Sequence, residues 1–383
     1  MTDTTSALLT EREVMIRDAA RKVAQEVVAP TAAQRDRAAA WPRAELKAVA
    51  ELGFLGMLVP EEYGGSAATF SEYCLAIEEF AAADAGFATI LHVHNGMGDK
   101  IRRYGTDAQK RRYLPGLASG ETVAAGLLTE PQAGSDTGGY RASARRDGAH
   151  YVLNGSKQFI SNGSEAGFTI AVTAVTETPE GRKGPSMFIV DPDTPGFKVT
   201  RVEEKMGQRS AHVAAITLED CRVPLENIVG EEGAAYKRML GGLSQGRIGI
   251  AAVAVGVARA ALEAALRYAG EREAYGAPIM KLQGVAFDLA DMAARVDVAH
   301  QYMLHVARLN VAGVPCNKEA SIAKLVASEM AERVCSEAMQ IHGGYGYLAD
   351  FPVERYYRDA RVTRIYEGTS HIQKVIIARA LAA

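Results

Sequence analysis

His150-Tyr-Val-Leu-Asn-Gly-Ser-Lys-Gln-Phe-Ile160 is an apolar and aromatic run broken by Asn-Gly, and where it falls in the chain decides the fold. With residues 167–175, 186–191, 196–202 and 214–219 it forms a set of short segments rich in Val, Ile, Phe and Thr, punctuated by Gly, Asn, Asp and Pro. This pattern predicts a small antiparallel sheet, a meander or compact barrel, with no βαβ alternation. On either side the period changes to that of helices. Thr10 and Glu13 make a capping-box pattern, and an apolar face follows through Val14, Ala20, Val23 and Val27 until Pro30 stops it. Pro42 stands where a helix over 44–58 would begin, and 69–83 is amphipathic with Ser71 as its cap. Beyond residue 234, the stretches 238–270, 281–311 and 317–341 are long, Ala-rich and free of Pro, and a shorter one covers 371–381. Their apolar positions suffice to bury more than one face, as in a four-helix bundle that also meets other subunits. The fold class expected is α+β, mainly α. It comprises an N-terminal helical domain (1–121), a middle antiparallel β-domain (122–233) and a C-terminal four-helix bundle (234–383).

The chain has 383 residues, 48% hydrophobic and 23% charged, enough for a large core. Lys plus Arg is 43 and Asp plus Glu 46, a formal charge of −3, which offers no field to nucleic acid or to an acidic membrane. Cys74, Cys221, Cys316 and Cys335 are far apart and form no CxxC pair, which suits buried thiols in a reducing compartment. The N-terminal residues are too acidic for a transit peptide and lack the apolar run of a signal sequence, and no segment is read as transmembrane. A cytoplasmic protein is expected.

Several stretches carry chemistry. Leu128-Thr-Glu-Pro-Gln-Ala-Gly-Ser-Asp136 ends in a turn whose small residues let the backbone approach a flat ring or a phosphate, with Ser135 offering a hydroxyl and an N–H. An ordinary loop is the competing reading. Gly155-Ser-Lys-Gln-Phe-Ile-Ser-Asn-Gly163 ends a strand: Phe159 could cover one face of a planar ring and Ser161 bond its edge, or Phe159 could simply be core. In Glu271-Arg-Glu-Ala-Tyr-Gly276, Arg272 at a helix end could pair with a pyrophosphate or merely complement the helix dipole. Gln340-Ile-His-Gly-Gly344 opens a glycine-rich turn without a preceding strand, so it is no Rossmann fingerprint. Tyr366-Glu367-Gly368-Thr369-Ser370 puts one carboxylate at a helix entry, where a poorly hydrated glutamate can serve as a general base. His92-Val-His94 has no further ligands nearby, so helix histidines or a pocket wall fit better than a metal. His300 and His305 read as surface or interface residues, and Glu130, Glu219 and Asp220 as cap and turn formers.

These stretches, with Lys205-Met-Gly-Gln-Arg209, Glu219-Asp-Cys-Arg-Val-Pro224 and Gln283, occur in an order that resembles the acyl-CoA dehydrogenase family over essentially the whole chain. The resemblance implies FAD as cofactor, with Leu128 and Thr129 at the flavin ring edge and Ser135 at the pyrophosphate and substrate. It places Phe159 and Ser161 where the family often has Trp and Thr. Arg272, Gln283, Gln340 and Gly344 would reach the FAD of a neighbouring subunit, and Tyr275, Thr369 and His371 complete the cofactor set. Glu367 would abstract the α-proton of an acyl-CoA while the flavin takes the β-hydride, giving the trans-2-enoyl thioester. Ser135, Arg247, Tyr366 and Gly368 would line the substrate. Family members that carry the base on the first bundle helix do so at the position of Gly246, which here has no side chain for the task. Ser244 replaces a common acidic residue near the pantetheine arm, and residues 91–95 would border the acyl pocket with a polar wall. A short or short branched-chain substrate, electron-transferring flavoprotein as acceptor and a homotetramer are the corresponding expectations. An acyl-CoA oxidase or a carrier-protein-linked desaturase on the same scaffold is the alternative.

Overall fold

The computed structural model describes residues 8–177 and 183–382; residues 1–7, the start of the N-terminal segment inspected for targeting signals, lie outside them. Helix α1 (Glu11–Val23) starts as its sequence predicts. The Glu13 N–H donates to the Thr10 hydroxyl at 3.2 Å, and the Thr10 N–H to the Glu13 carboxylate at 2.9 Å. Pro30 does not stop the chain. A π-helical turn, Ala24–Val28, leads into α2 (Ala29–Ala38), and Pro30 sits in its first turn, where a missing N–H costs least. α3 (Arg43–Glu51) is shorter than expected because Gly53 turns the chain with φ +82°. α4 (Phe70–Ala83) is capped by Thr69 in a box with Glu72, not by Ser71. α5 (Ala85–Tyr104), capped by Asp84, and α6 (Asp107–Ala118), capped by Thr106, complete this part.

The sheet comprises β1 (Ala124–Leu127), β2 (Ser143–Asp147), β3 (His150–Ser161), β4 (Phe168–Glu177), β5 (Lys183–Val190), β6 (Phe197–Val202) and β7 (Val213–Pro224). Its order is β1-β4-β2-β3-β7-β6, with β5 on β4. It is neither a meander nor wholly antiparallel. β1 runs parallel to β4, from Ala124 opposite Phe168 to Leu127 opposite Ala171, and β2 touches β4 in parallel at Ser143 and Val175. The physical reason is that β4 lies between strands that precede it in sequence. The β3–β7 register shifts twice, between Leu153 and Gly155 and, near the end of β3, between Lys157 and Ile160, where Phe159 has φ +59°.

After the sheet come α7 (Ala235–Glu271), the short pair β8 (Glu273–Ala274) and β9 (Ala277–Pro278), α8 (Gln283–Val311), α9 (Asn317–His342), α10 (Val353–Arg361) and α11 (Ser370–Leu381). From Ser244 onward α7 is long and apolar enough to cross a membrane, contrary to the reading of the sequence, yet 83% of that window is buried inside the fold. It is a core helix. Phe80 of α4, Phe87 and Leu91 of α5 and Val253 and Val257 of α7 share one core with Ala327 and Val334 of α9. Each large apolar side chain buried there contributes roughly 1.5–3 kcal/mol.

Two ionic clusters tie distant segments. Glu79 of α4 takes Arg21 at 2.9 Å and Arg259 of α7 at 2.7 Å, while Glu78 meets His300 Nδ1 of α8 at 2.7 Å. His300 is therefore a buried residue rather than a surface one, and Glu78 raises its pKa against the opposing pull of burial. Arg358 of α10 binds Asp36 of α2 at 2.7 Å, Glu354 at 2.6 Å and the Met206 carbonyl of the β6–β7 loop at 3.1 Å.

Candidate active site

The motifs around residues 128–136 and 155–163 are locked together by a buried ion pair. The Lys157 ammonium donates to the Glu130 carboxylate at 2.9 Å and to the Leu128 carbonyl at 3.0 Å, with both side chains almost wholly buried. Glu130 also accepts from the N–H groups of Arg141 at 2.6 Å and Ala142 at 3.1 Å, and the Gln158 N–H reaches the Thr129 carbonyl at 2.9 Å. Burial pushes Lys157 down to about 8. Burial pushes Glu130 up, but the Arg141 N–H and Lys157 outweigh it and keep the carboxyl below its usual range. Glu130 is thus an anchor and more than a turn former.

Because the β3 bulge falls beside it, Phe159 is re-aimed out of the sheet and stands 65% exposed, so it is not a core residue. Ser161 ends the same strand, and the next residue, Asn162, donates to the Ile90 carbonyl of α5 at 3.2 Å and the Ala124 carbonyl at 3.3 Å. The sheet end carrying Phe159 and Ser161 is thereby held against α5. One residue before Ile90, Thr89 lies 3.3 Å from the Tyr366 hydroxyl, which brings the Glu367 segment to the same place. Ser135 is exposed at the edge of its turn.

Glu367 adopts φ +51° and Gly368 φ +90°. The Gly368 carbonyl accepts from Lys324 Nζ at 2.7 Å and Gln373 Nε2 at 2.8 Å, and Gln373 also reaches the Glu367 carbonyl at 3.1 Å. Thr369 caps α11 by accepting from the Ile372 N–H, and His371 points outward from that helix. The Glu367 carboxylate lies against α7 where Gly246 has no side chain: a Cβ added there would stand 2.5 Å from Glu367 Oε2. One carboxylate fills the space that either position could supply. The side chain is accessible in the single chain, contrary to the poorly hydrated setting expected from the sequence.

Four basic groups feel this carboxylate. Burial lowers the pKa of His92, Lys100 and Arg247, and it brings Lys324 to about 8, while Glu367 pulls each of them upward. Arg247 is 5% exposed; its Nη1 donates to Asn317 Oδ1 at 2.6 Å and its buried Nε has no partner among the described residues. The His92 ring packs against Gly249, where a Cβ would stand 2.2 Å from it, and its Nδ1 is 2.9 Å from the Tyr73 hydroxyl. His94 belongs to the core: its Nδ1 accepts the Ala124 N–H at 3.4 Å, so Nε2 carries the proton toward the carbonyls of Leu55 and Leu117. Among the described residues no group of three or more His, Cys, Asp or Glu could hold a metal.

The remaining candidates stand apart. Arg272, the C-cap of α7, and Gly344 line a cleft on the outer face of the bundle with Tyr268 and His342, whose rings stack at 4.3 Å. Gln283, Gln340 and Tyr275 are exposed, Tyr275 at 95%, and no hydrogen bond or ion pair among the described residues joins them to the Glu367 crevice. Lys157, Lys324, Thr89, Gln208 and Gln373 were not singled out in the sequence. Lys324 shares a helical face with Ala320, Ala327 and Ala331, all buried, and that spacing was a legible sign of an inward-pointing lysine.

The chain was also compared with known proteins. Profiles described as the acyl-CoA dehydrogenase N-terminal, middle and C-terminal domains match residues 10–121, 125–221 and 235–382. An acyl-CoA dehydrogenase of Bacillus subtilis is 43% identical over 97% of this chain and 98% of its own. The mitochondrial short-chain specific acyl-CoA dehydrogenase of Mus musculus is 42% identical over 97% of this chain and 90% of its own. The structure of butyryl-CoA dehydrogenase from Megasphaera elsdenii aligns with a TM-score of 0.94 at 38% identity, covering 98% of this chain and 99% of that one. Helices, sheet and bundle in this order, matched domain by domain along nearly the full length, mean that the chain belongs to the acyl-CoA dehydrogenase family.

Proposed function

We propose that the protein dehydrogenates a short-chain acyl-CoA and that Glu367 is the base that removes the α-proton. The coarser statement, an FAD-dependent enzyme acting on an acyl-CoA thioester, follows from the family. The observation that carries the finer reading is the Glu367 carboxylate seated on Gly246 among Arg247, Lys324, Lys100 and His92.

The residues present fit a flat dinucleotide cofactor: an outward aromatic ring at Phe159, hydroxyls at Thr129 and Ser161 beside it, and exposed Ser135 for an anionic group. Bound there, FAD supplies the acceptor for the β-hydride. The cation and open glycine backbone at Arg272 and Gly344 lie on another face, so we infer that they serve the cofactor of a neighbouring copy. A homotetramer follows from that reading, supported by exposed Tyr275, Phe287 and Tyr347 on or beside the bundle.

Removing the α-proton develops negative charge on the thioester oxygen. We propose that the Glu367 N–H, which has no hydrogen-bond partner among the described residues, donates to that oxygen. Arg247 and Lys324 both lie within the electrostatic reach of the Glu367 carboxylate, at the end of the crevice where the thioester would sit. His92, whose pKa burial lowers, is paired with the Tyr73 hydroxyl beside the base, and a polar pair there supports a short acyl group. We further propose electron-transferring flavoprotein as the acceptor and the cytoplasm as the compartment, the latter supported by four free, buried cysteines.

The test is anaerobic flavin bleaching by butyryl-CoA in the parent and in Glu367→Gln. Loss of a general base lowers the rate by about 10²–10⁴-fold. Bleaching of the variant at the parental rate rejects the base assignment. Fast reoxidation by air with product still bound would assign the oxidase alternative instead.

A further inference from the structure

The backbone of Gln208, in the loop between β6 and β7, is left-handed at φ +47°, an unusual conformation for a residue with a side chain. It is held there on purpose. The Gln208 N–H donates to the Asp359 carboxylate of α10, and a Cβ on the neighbouring Gly207 would stand 2.4 Å from the Arg358 carbonyl carbon and oxygen, so the loop lies directly on that helix. The Gln208 side chain is 4% exposed and fully engaged. Its Nε2 reaches the Asp359 carbonyl and the Tyr366 hydroxyl, each at 3.2 Å, and its Oε1 accepts from the Thr89 hydroxyl at 2.9 Å.

Those contacts fix the direction of every proton. Thr89 donates to Gln208, Gln208 donates to Tyr366, and the Tyr366 O–H is left to donate to Thr89 Oγ1 at 3.3 Å. The result is a closed ring of donors in which no member can turn without breaking the others. It joins α5, the β6–β7 loop and the segment before α11, and burial pushes the Tyr366 hydroxyl up to about 12, so it stays a donor at neutral pH. On the other side of Glu367, Lys324 and Gln373 grip the Gly368 carbonyl. Glu367 is thus pinned from both flanks, once through a ring system and once through its following peptide.

We propose that Gln208 is a positioning residue for Glu367: it immobilises Tyr366, and through it the left-handed backbone that aims the carboxylate. The inference rests on Glu367 being the base. A misaimed carboxylate loses rate rather than substrate affinity, so Gln208→Met, which keeps length but breaks the ring, lowers the rate of anaerobic flavin reduction by about 10–100-fold. The dissociation constant for butyryl-CoA stays within about threefold, since Gln208 itself lies behind the tyrosine.

The deciding measurement is a double-mutant cycle of Gln208→Met with Tyr366→Phe on the FAD-loaded enzyme, read as the rate of flavin reduction. If Gln208 acts through the tyrosine hydroxyl, the double variant is no slower than the slower single variant, within about twofold. Multiplying rate losses, or a Gln208→Met enzyme with the parental rate, overturn the proposal. Should Gln208→Met fail to retain FAD, Thr89→Val with Tyr366→Phe tests the same ring by the same criterion. Failure of the base assignment looks different: Glu367→Gln then bleaches normally, whereas a positioning failure leaves Glu367→Gln inactive and the cycle additive.

Discussion

Gly246→Ala separates geometry from stability at the base. The new Cβ would lie 2.5 Å from Glu367 Oε2 and 3.0 Å from Cδ, while ordinary contact begins at 3.4 Å, so the carboxylate must retreat by about 0.9 Å. It can do so at little energetic cost, because it is the end of a flexible side chain. The helix itself benefits, since Ala replaces Gly within α7 at a gain of up to about 1 kcal/mol. The melting temperature should therefore hold or rise by about 2 °C. Catalysis should not, because a misplacement near 1 Å costs on the order of 100-fold in rate. Stopped-flow flavin reduction under anaerobic conditions, beside thermal unfolding of the same preparation, reads both quantities. Reduction at the parental rate with full FAD content would refute the claim that Gly246 leaves room for the carboxylate. So would a loss of stability large enough to account for the lost activity.

Three further outcomes concern other residues. His92→Ala removes the ring packed on Gly249, and peak turnover in a chain-length series should move to acyl groups longer by about two methylenes, each worth about 0.8 kcal/mol of burial; an unmoved optimum rejects His92 as the end of the pocket. Lys157→Met strands the buried Glu130 carboxylate and should destabilise the protein by about 3 kcal/mol in urea unfolding, the low end for a broken buried pair because two N–H donors persist, with weakened FAD retention; near-parental stability would contradict it. The raised pKa of His300 contributes stability that is complete below its unfolded value of 6.5 and is lost as pH climbs through the higher folded value. The melting-temperature difference between parent and His300→Gln should accordingly shrink from about pH 6 to about 8, and a constant difference would show that the Glu78 pair does not carry the effect.

The parts of the fold that the sequence made legible are those written in local chemistry. The Thr10–Glu13 box and the alternating runs at β3 and β7 needed no partner to be recognised. What escaped depended on distant contacts. β1 spans only Ala124–Leu127, and its parallel partner lies beyond two other strands, so neither its existence nor the mixed sheet could be read locally. Pro30 is a helix breaker by rule, but a π-helical turn immediately before it removed the conflict. At the site, Glu367 stood out through its neighbours Tyr366 and Gly368. Gln208 and Tyr366 are separated by 158 positions, and nothing in either motif announces the other. Phe159 had two open readings, and a bulge, which depends on register with β7, chose between them.

Arg358 has a consequence for how the molecule comes together. One guanidinium gathers a carboxylate 322 positions earlier, the Met206 carbonyl 152 positions earlier and a carboxylate on its own helix. Contacts of such separation form late, because the loops they close must be ordered first. Helical content can therefore return well before catalytic competence during refolding. Seating of the short loop that carries Met206 and Gln208 thus depends on α2 and α10 already standing side by side, because one arginine holds all three.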